Sequence, residues 1–327
     1  MPVLNIAFYG TEDLARSLAK KGDVRDIESY VHKEEREGET CVLSLLRPLR
    51  HPERLRPLLS VLNVAKAGII EITKIDAALG EVCVAFGAAG IRRGHAIIRP
   101  EEGGWVDEDQ AKVILSQAGL ADWTLHNSMP DEHELRESLF EWLDFSGSDA
   151  PLVIPVDQHF NVKGVGLVAI GYVQAGSISK HDEIQVLPAG DSGIARSLQV
   201  MDDDVDNARL GDRVGVAIRN MREEALHRGC VIAHPDSGAL TRHDKSTFTL
   251  AKAPFQKREL SAGDIVHVAF DLQFTVGRIT AVDGDAFTVE WESPVWIRDG
   301  AAEPVMIAQL DAGNMRMMGV ANSIQTA

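Results

Sequence analysis

From residue 152 onward the chain is written in short β-branched runs separated by glycine or polar turn residues, with no convincing helical periodicity. The runs fall at 152–156, 165–173, 184–187, 194–200, 213–219 and 230–233. Strands this short and this regularly spaced, with no helices to cover them, must close on one another as a barrel or pack as a sandwich. Pro235-Asp236-Ser237-Gly238 interrupts the pattern, and a second strand-rich stretch follows over 246–324.

The segment in front is built differently. Strand-like runs at 3–9, 41–46, 66–72, 94–98 and 122–126 alternate with helical periodicity at 12–21, 53–63, 76–90, 107–118 and 131–143. Strand and helix in turn predict a mainly parallel sheet covered on both faces. Ligands of such sheets bind at the carboxyl ends of the strands, here residues 10–17 and the segments after 46 and 98. Phe145-Ser146-Gly147-Ser148-Asp149-Ala150-Pro151 reads as a linker. The domains expected are therefore 1–145, 151–235 and 244–327.

Composition narrows the partners. The chain has 327 residues, a formal charge of −16 and 45% hydrophobic residues, which suits an ordinary globular protein of two or three domains. So acidic a chain cannot adhere broadly to nucleic acid or anionic lipid, so DNA and membrane are not expected partners and any RNA contact must be local. Cys41, Cys83 and Cys230 are widely spaced, with no C-x-x-C, which argues against a disulfide framework or a zinc site. The longest apolar stretch, around 82–91, is too short to span a bilayer, and the first residues lack a signal peptide's regions. A cytoplasmic location is expected.

The first loop carries a damaged motif. Gly10-Thr11-Glu12-Asp13-Leu14-Ala15-Arg16-Ser17 follows an apolar strand and opens a helix, as a phosphate loop does. Gly10 and Ser17 fit G-x-x-x-x-G-K-[ST], but Ala15 replaces the second glycine and Arg16 the lysine. Ala15 restricts the curl that lets backbone N–H groups cradle phosphate, and Glu12 and Asp13 bring negative charge into the loop. Thr11 suits an N-cap, with the two acids favoured by the helix dipole in the first turn, so the loop is expected to carry its own anion.

Residues 154–176 (IPVDQHFNVKGVGLVAIGYVQAG), 196–200 (RSLQV), 208–219 (ARLGDRVGVAIR) and 226–232 (LHRGCVI) resemble domain II of the elongation factor Tu family. Within it, 10–13 (GTED), 18–22 (LAKKG) and 58–63 (LLSVLN) are most similar to the selenocysteine-specific elongation factor and its truncated methanogen paralog, sometimes called EF-Pyl. The resemblance is strong over 151–234, moderate over 1–143 and weak over 245–327. It implies an α/β P-loop-type GTPase-like domain followed by two β-barrel domains.

The family's other nucleotide motifs depart from pattern. Its Asp-x-x-Gly-His segment corresponds to Arg47-Pro48-Leu49-Arg50-His51, so Arg47 stands for the magnesium-linked Asp and Arg50 for the γ-phosphate-sensing Gly. His51 alone matches, a relic of the residue that positions the attacking water, and a histidine before Pro52 is ordinarily a surface group. Asn-Lys-x-Asp, which reads guanine, becomes Arg99-Pro100-Glu101-Glu102, keeping a carboxylate only at Glu102. With phosphate clamp, metal site and base reader all changed, no catalytic residue, metal or cofactor is expected.

For RNA the resemblance offers the pocket that holds the aminoacyl end of tRNA. Its acidic pair and aromatic residue correspond to Asp157, Gln158 and Phe160, and its asparagine to Arg213. Phe160 is either a stacking platform or barrel core, and Asp157 could accept from an α-amino group. Arg47, Arg50, Arg54 and Arg56, with His51, form a basic cluster that is either a solvated helix face or a phosphate-backbone contact. Asp202, Asp204 and Asp206 begin like a calcium loop but meet Asn207 and Arg213 where glycine and glutamate are needed, and His227 with Cys230 lacks a second ligand pair. The reading is an elongation-factor-like protein with an inactive GTPase domain, binding tRNA, the ribosome or translation proteins. One alternative is a working GTPase, using GTP with Mg to deliver aminoacyl-tRNA; another is a protein-interaction scaffold.

Overall fold

The computed structural model describes residues 1–144, 149–298 and 300–327, so residues 145–148 of the expected linker lie outside the described ones. The first domain runs β1 (Val3–Tyr9), α1 (Glu12–Leu18), β2 (Lys20–Val24), β3 (Ile27–Arg36), β4 (Glu39–Pro48), α2 (Arg56–Val64), β5 (Ala67–Ile72), α3 (Ala77–Ala88), β6 (Gly94–Ile98), α4 (Glu108–Gln117), β7 (Thr124–His126) and α5 (Glu132–Phe140). The seven strands lie in the order β2-β3-β4-β1-β5-β6-β7. From β4 to β7 the pairing is parallel, and β2 and β3 add an antiparallel edge.

The alternating pattern foretold this sheet except over residues 20–36, where helix was expected to persist to residue 21. The helix instead stops at Leu18. Lys20–Val24 is polar and largely exposed, and Ile27–Arg36 turns Glu28 and Tyr30 inward and is polar over its far half, so the edge hairpin carries little apolar signal for a period-2 pattern to reveal. By contrast β5 is buried at all six positions and α3 is apolar around most of its circumference. Gly68 and Gly94 explain how the neighbouring strands pack. A Cβ at either would meet the Trp123 ring at 2.4 Å. The ring lies edge-on to Phe86, 5.5 Å between centroids, and donates its indole N–H to the Ile91 carbonyl.

The second domain comprises β8 (Val153–Val162), β9 (Gly166–Tyr172), β10 (Ser177–Ser179), β11 (Glu183–Leu187), β12 (Asp191–Val200), β13 (Asp203–Val205), β14 (Asn207–Arg209), β15 (Arg213–Arg219) and β16 (Val231–Ala233). Its sheet runs β11-β16-β8-β9-β15-β12-β13, and pairing of β12 back to β11 closes a six-stranded barrel. Alternate residues such as Ile154, Val156, Leu198, Val214 and Val216 fill it.

The third domain, β17 (Leu240–Lys252), β18 (Ile265–Phe270), β19 (Gln273–Asp283), β20 (Ala286–Arg298), β21 (Val305–Ala308) and β22 (Met317–Thr326), closes in the order β17-β20-β19-β18-β21-β22. It does not stand apart. Ala253, Leu272, Met306 and Met317 belong to the same buried cluster as Leu58 and Leu62 of α2 and Val82 and Phe86 of α3. Each large apolar side chain so buried is worth about 1.5–3 kcal/mol, so this contact continues the first domain's core.

Candidate functional site

Gly10, Arg47, Glu71 and Arg99 stand at or just beyond the carboxyl ends of β1, β4, β5 and β6. Thr11 caps α1 as expected, its hydroxyl 3.4 Å from the Leu14 N–H. The anion in the loop is a different one from those expected. Glu71, with its side chain 1% exposed, takes the Thr11 N–H on Oε2 at 2.5 Å, while its Oε1 pairs with Arg99 at 3.0 Å. A Cβ at Gly10 would lie 2.8 Å from both Cβ and Oε2 of this glutamate, so only glycine lets the strand end pass beside it. The Glu71 carboxylate thus takes up a loop N–H of the kind that would otherwise face phosphate.

The neighbouring charges close on themselves. Arg47 donates from Nε to the Gly10 carbonyl and from Nη1 to Glu28, both at 2.7 Å. Glu28 also accepts from Tyr30 and Lys21, and Lys21 continues to Glu12, which Arg16 pairs at 2.7 Å. Bonds from Lys21 and then Arg16 hold Glu12 down to about 2, and burial followed by the bond to Glu28 pushes Tyr30 up to about 12. Glu12 therefore braces the helix through Arg16 and Lys21. Ala15 is fully buried, Ser17 turns its hydroxyl back to the Leu14 carbonyl, and Glu102 is exposed.

The His51 side chain is buried, contrary to the ordinary expectation for its position. It is 1% exposed, with Nε2 at 2.9 Å from Glu81 and Nδ1 at 3.3 Å from the Tyr9 hydroxyl. Arg316 of the third domain reaches the same carboxylate through its backbone N–H at 2.8 Å, through Nε at 3.0 Å and through Nη2. Burial alone would raise Glu81, but the bonds from His51 and Arg316 outweigh it and bring it down to about 2. Glu81 gave no sequence signal, since its partner lies 235 residues away.

The residues corresponding to the aminoacyl pocket meet as one group. Asp157 lies 3.4 Å from Arg228 Nε and 3.9 Å from Arg213 Nη2, and accepts from Gln158 at 3.2 Å. The two arginines also reach Asp26 and, at 3.1 Å, Asp23, both in the β2–β3 hairpin of the first domain. The Asp157 carboxylate is thus already faced by guanidinium. Phe160 is half-buried and belongs to none of the described apolar clusters of the barrel. The basic cluster divides. Arg47 and Arg56 turn inward, Arg56 half-buried over the Phe274 ring, whereas Arg50 and Arg54 are exposed.

A separate relay crosses β6 and β7. His95 Nδ1 is 3.0 Å from His126 Nε2, and its Nε2 is 2.9 Å from the Ser138 hydroxyl, which donates to the Leu135 carbonyl. The hydroxyl can then only accept from His95, so His95 carries its hydrogen on Nε2 and accepts from His126 on Nδ1. Burial pushes His95 down to about 4.

These features define a class: an α/β domain followed by two β-barrels, with the carboxyl edge of its sheet occupied by the chain's own side chains. Residues 166–233 match the family described as elongation factor Tu domain 2. The chain is 29% identical over 277 residues to an uncharacterized protein of Methanocaldococcus jannaschii, covering 84% of this chain and 85% of that one. It is 27% identical over 181 residues to the selenocysteine-specific elongation factor of the same organism, covering 55% of this chain and 35% of the factor. The solved structure of translation elongation factor SelB from Methanococcus maripaludis, in complex with a GTP analogue, superposes with a TM-score of 0.79 at 19% identity, covering all of this chain and 80% of that one. Over residues 166–233 the chain is thus similar to the elongation factor Tu family, and over its whole length it shares the fold of SelB.

Proposed function

We propose that this protein acts in translation without guanine nucleotide, as a binding module for RNA, in the first place tRNA, whose GTPase-like domain serves as structural support. The reading is carried by the Glu71 carboxylate, which bonds the Thr11 N–H of the loop and is held there by Arg99. A γ-phosphate entering that loop would have to displace a buried carboxylate that repels it. Arg47 and Arg99, where the family has its metal-linked Asp and the start of its base reader, are paired to Glu28 and Glu71 instead. Titration of the full chain with a fluorescent GTP analogue, with Mg present, is expected to give no binding at micromolar concentration. A Kd tighter than about 10 μM would favour the working GTPase.

The RNA part rests on Phe160, half-buried in the barrel wall beside Asp157 and Gln158. Filter retention of charged and uncharged tRNA at two salt concentrations is expected to show weak, salt-sensitive binding. Phe160→Ala should cost about 1–3 kcal/mol through lost stacking. No retention of either RNA at low salt would replace this reading with the protein scaffold.

A further inference from the structure

The sheet's amino edge, opposite the loop of residues 10–17, meets the barrel of the second domain around a cavity of about 280 Å³. Asn5 near the start of β1, Lys66 before β5, and Arg92 and Arg93 before β6 line it from the first domain, while Gln174 and Gly211 line it from the barrel. Asn5 is 2% exposed and Gln174 is 5% exposed. The Asn5 amide donates from Nδ2 to the Gly211 carbonyl at 2.8 Å, which fixes its orientation, since a flip would set two oxygens face to face. Its Oδ1 then has no donor among the described residues, and neither has Gln174 Oε1. Buried amide oxygens are rarely left so without a ligand or water to serve them.

The charges complete the description. Lys66 is taken by Glu303 at 2.6 Å. Arg92 and Arg93 are exposed and make no ion pair among the described residues. Asp144 also lines the cavity, and Val64, Trp142 and Leu210 supply an apolar wall. The site therefore asks for N–H donors at one place and an anion at another, on a small body with an apolar part. The volume lies near the lower end for small-molecule sites, too little for a dinucleotide.

We propose that this cavity binds a free α-amino acid, whose ammonium donates to the amide oxygens of Asn5 and Gln174 and whose carboxylate lies on the guanidiniums of Arg92 and Arg93. Guanidinium matches carboxylate geometry by paired N–H bonds, and an ammonium supplies three donors to oxygens that have none. An apolar side chain rests on Val64, Trp142 and Leu210. Because the walls come from two domains, the ligand ties them together and stabilises the folded chain in proportion to its concentration.

The test is calorimetric titration and thermal melting of the full chain with each of the common amino acids up to about 10 mM, well above a weak Kd, alongside nucleoside monophosphates. The expected result is saturable binding and a raised melting temperature with at least one amino acid. Arg93→Ala should weaken it at least tenfold. Gln174→Leu should abolish it while leaving the melting temperature of the free protein unchanged or higher, because an unserved buried acceptor is gone. Arg92→Gln, at an exposed position with no ion pair among the described residues, should weaken it also. Absence of any amino-acid binding would mean a hydrated cavity only and would overturn the proposal, as would binding of nucleoside monophosphates in place of amino acids, or binding indifferent to both arginine substitutions.

Discussion

The two edges of one parallel sheet treat their polar groups in opposite ways. At the carboxyl edge Glu71 holds Thr11 and Arg99, Glu28 holds Arg47, Lys21 and Tyr30, and Glu81 holds His51 and Arg316. At the amino edge the oxygens of Asn5 and Gln174 have no hydrogen-bond partner, and Arg92 and Arg93 no ion pair, among the described residues. A site whose charges are mutually satisfied gains nothing from an outside ion and must lose contacts to admit one. A site whose acceptors are buried and unserved gains from any donor that fits. On these grounds an added ion is expected to bind less readily at the carboxyl edge than at the amino edge.

The comparison breaks hardest at Glu81. Glu81→Ala would leave His51 and Arg316 buried without their anion, and should destabilise the chain by about 3–5 kcal/mol in denaturant titration. A loss below about 1 kcal/mol would show that the paired edge is not held by its charges.

Acid titration of His95 comes next in size. Its folded pKa of about 4 lies below the ordinary 6.5, so the unfolded chain takes up the proton first. The contribution is full above the ordinary value and is lost as pH falls towards 4, by roughly 3 kcal/mol. Glu81 adds a further loss between its ordinary 4.5 and about 2, where its own folded value lies. Stability measured from pH 7 to pH 4 should therefore fall, and His95→Gln, which can keep one hydrogen bond without titrating, should flatten that slope. A slope unchanged in the variant would remove His95 as its source.

Glu71→Ala should cost less, about 1–3 kcal/mol, since Arg99 is 42% exposed and water can serve it once the carboxylate is gone. Glu12→Gln should fall below it in rank, because Glu12 touches only groups that solvent already reaches. The reverse order by thermal melting would return the anion of the loop to the first helical turn.

How much of this was legible follows from distance along the chain. The barrel of residues 153–233 was readable because its longer strands, β9, β11, β12 and β15, alternate buried and exposed positions over part or all of their length, while the three-residue strands β10, β13 and β14 were too short to register. The Thr11 cap was readable for the same reason, its partner being three residues on. Glu71 lies sixty positions from Thr11 and sits in a buried run, AGIIEI, where a charge looks like an exception within a strand. Its role depends on β1 and β5 lying side by side. The hairpin of β2 and β3 was missed because it is polar, though it brings Asp23 and Asp26 to Arg213 and Arg228. His51 before Pro52 suggested a surface group, but its side chain turns inward to Tyr9 and Glu81, and Arg316 of the third domain closes on the same carboxylate.

That packing sets where the protein can be cut. The first domain shares its apolar cluster with Leu272, Met306 and Met317, and Glu81 answers to Arg316. Shortened to its first two domains, the chain would present an open apolar face on α2 and α3 and a buried histidine–glutamate pair newly wet. Such a fragment is an aggregation risk rather than a smaller version of the whole. A fusion partner or label is better tolerated at the exposed turn around Gly284, whose Cα has open space beside it.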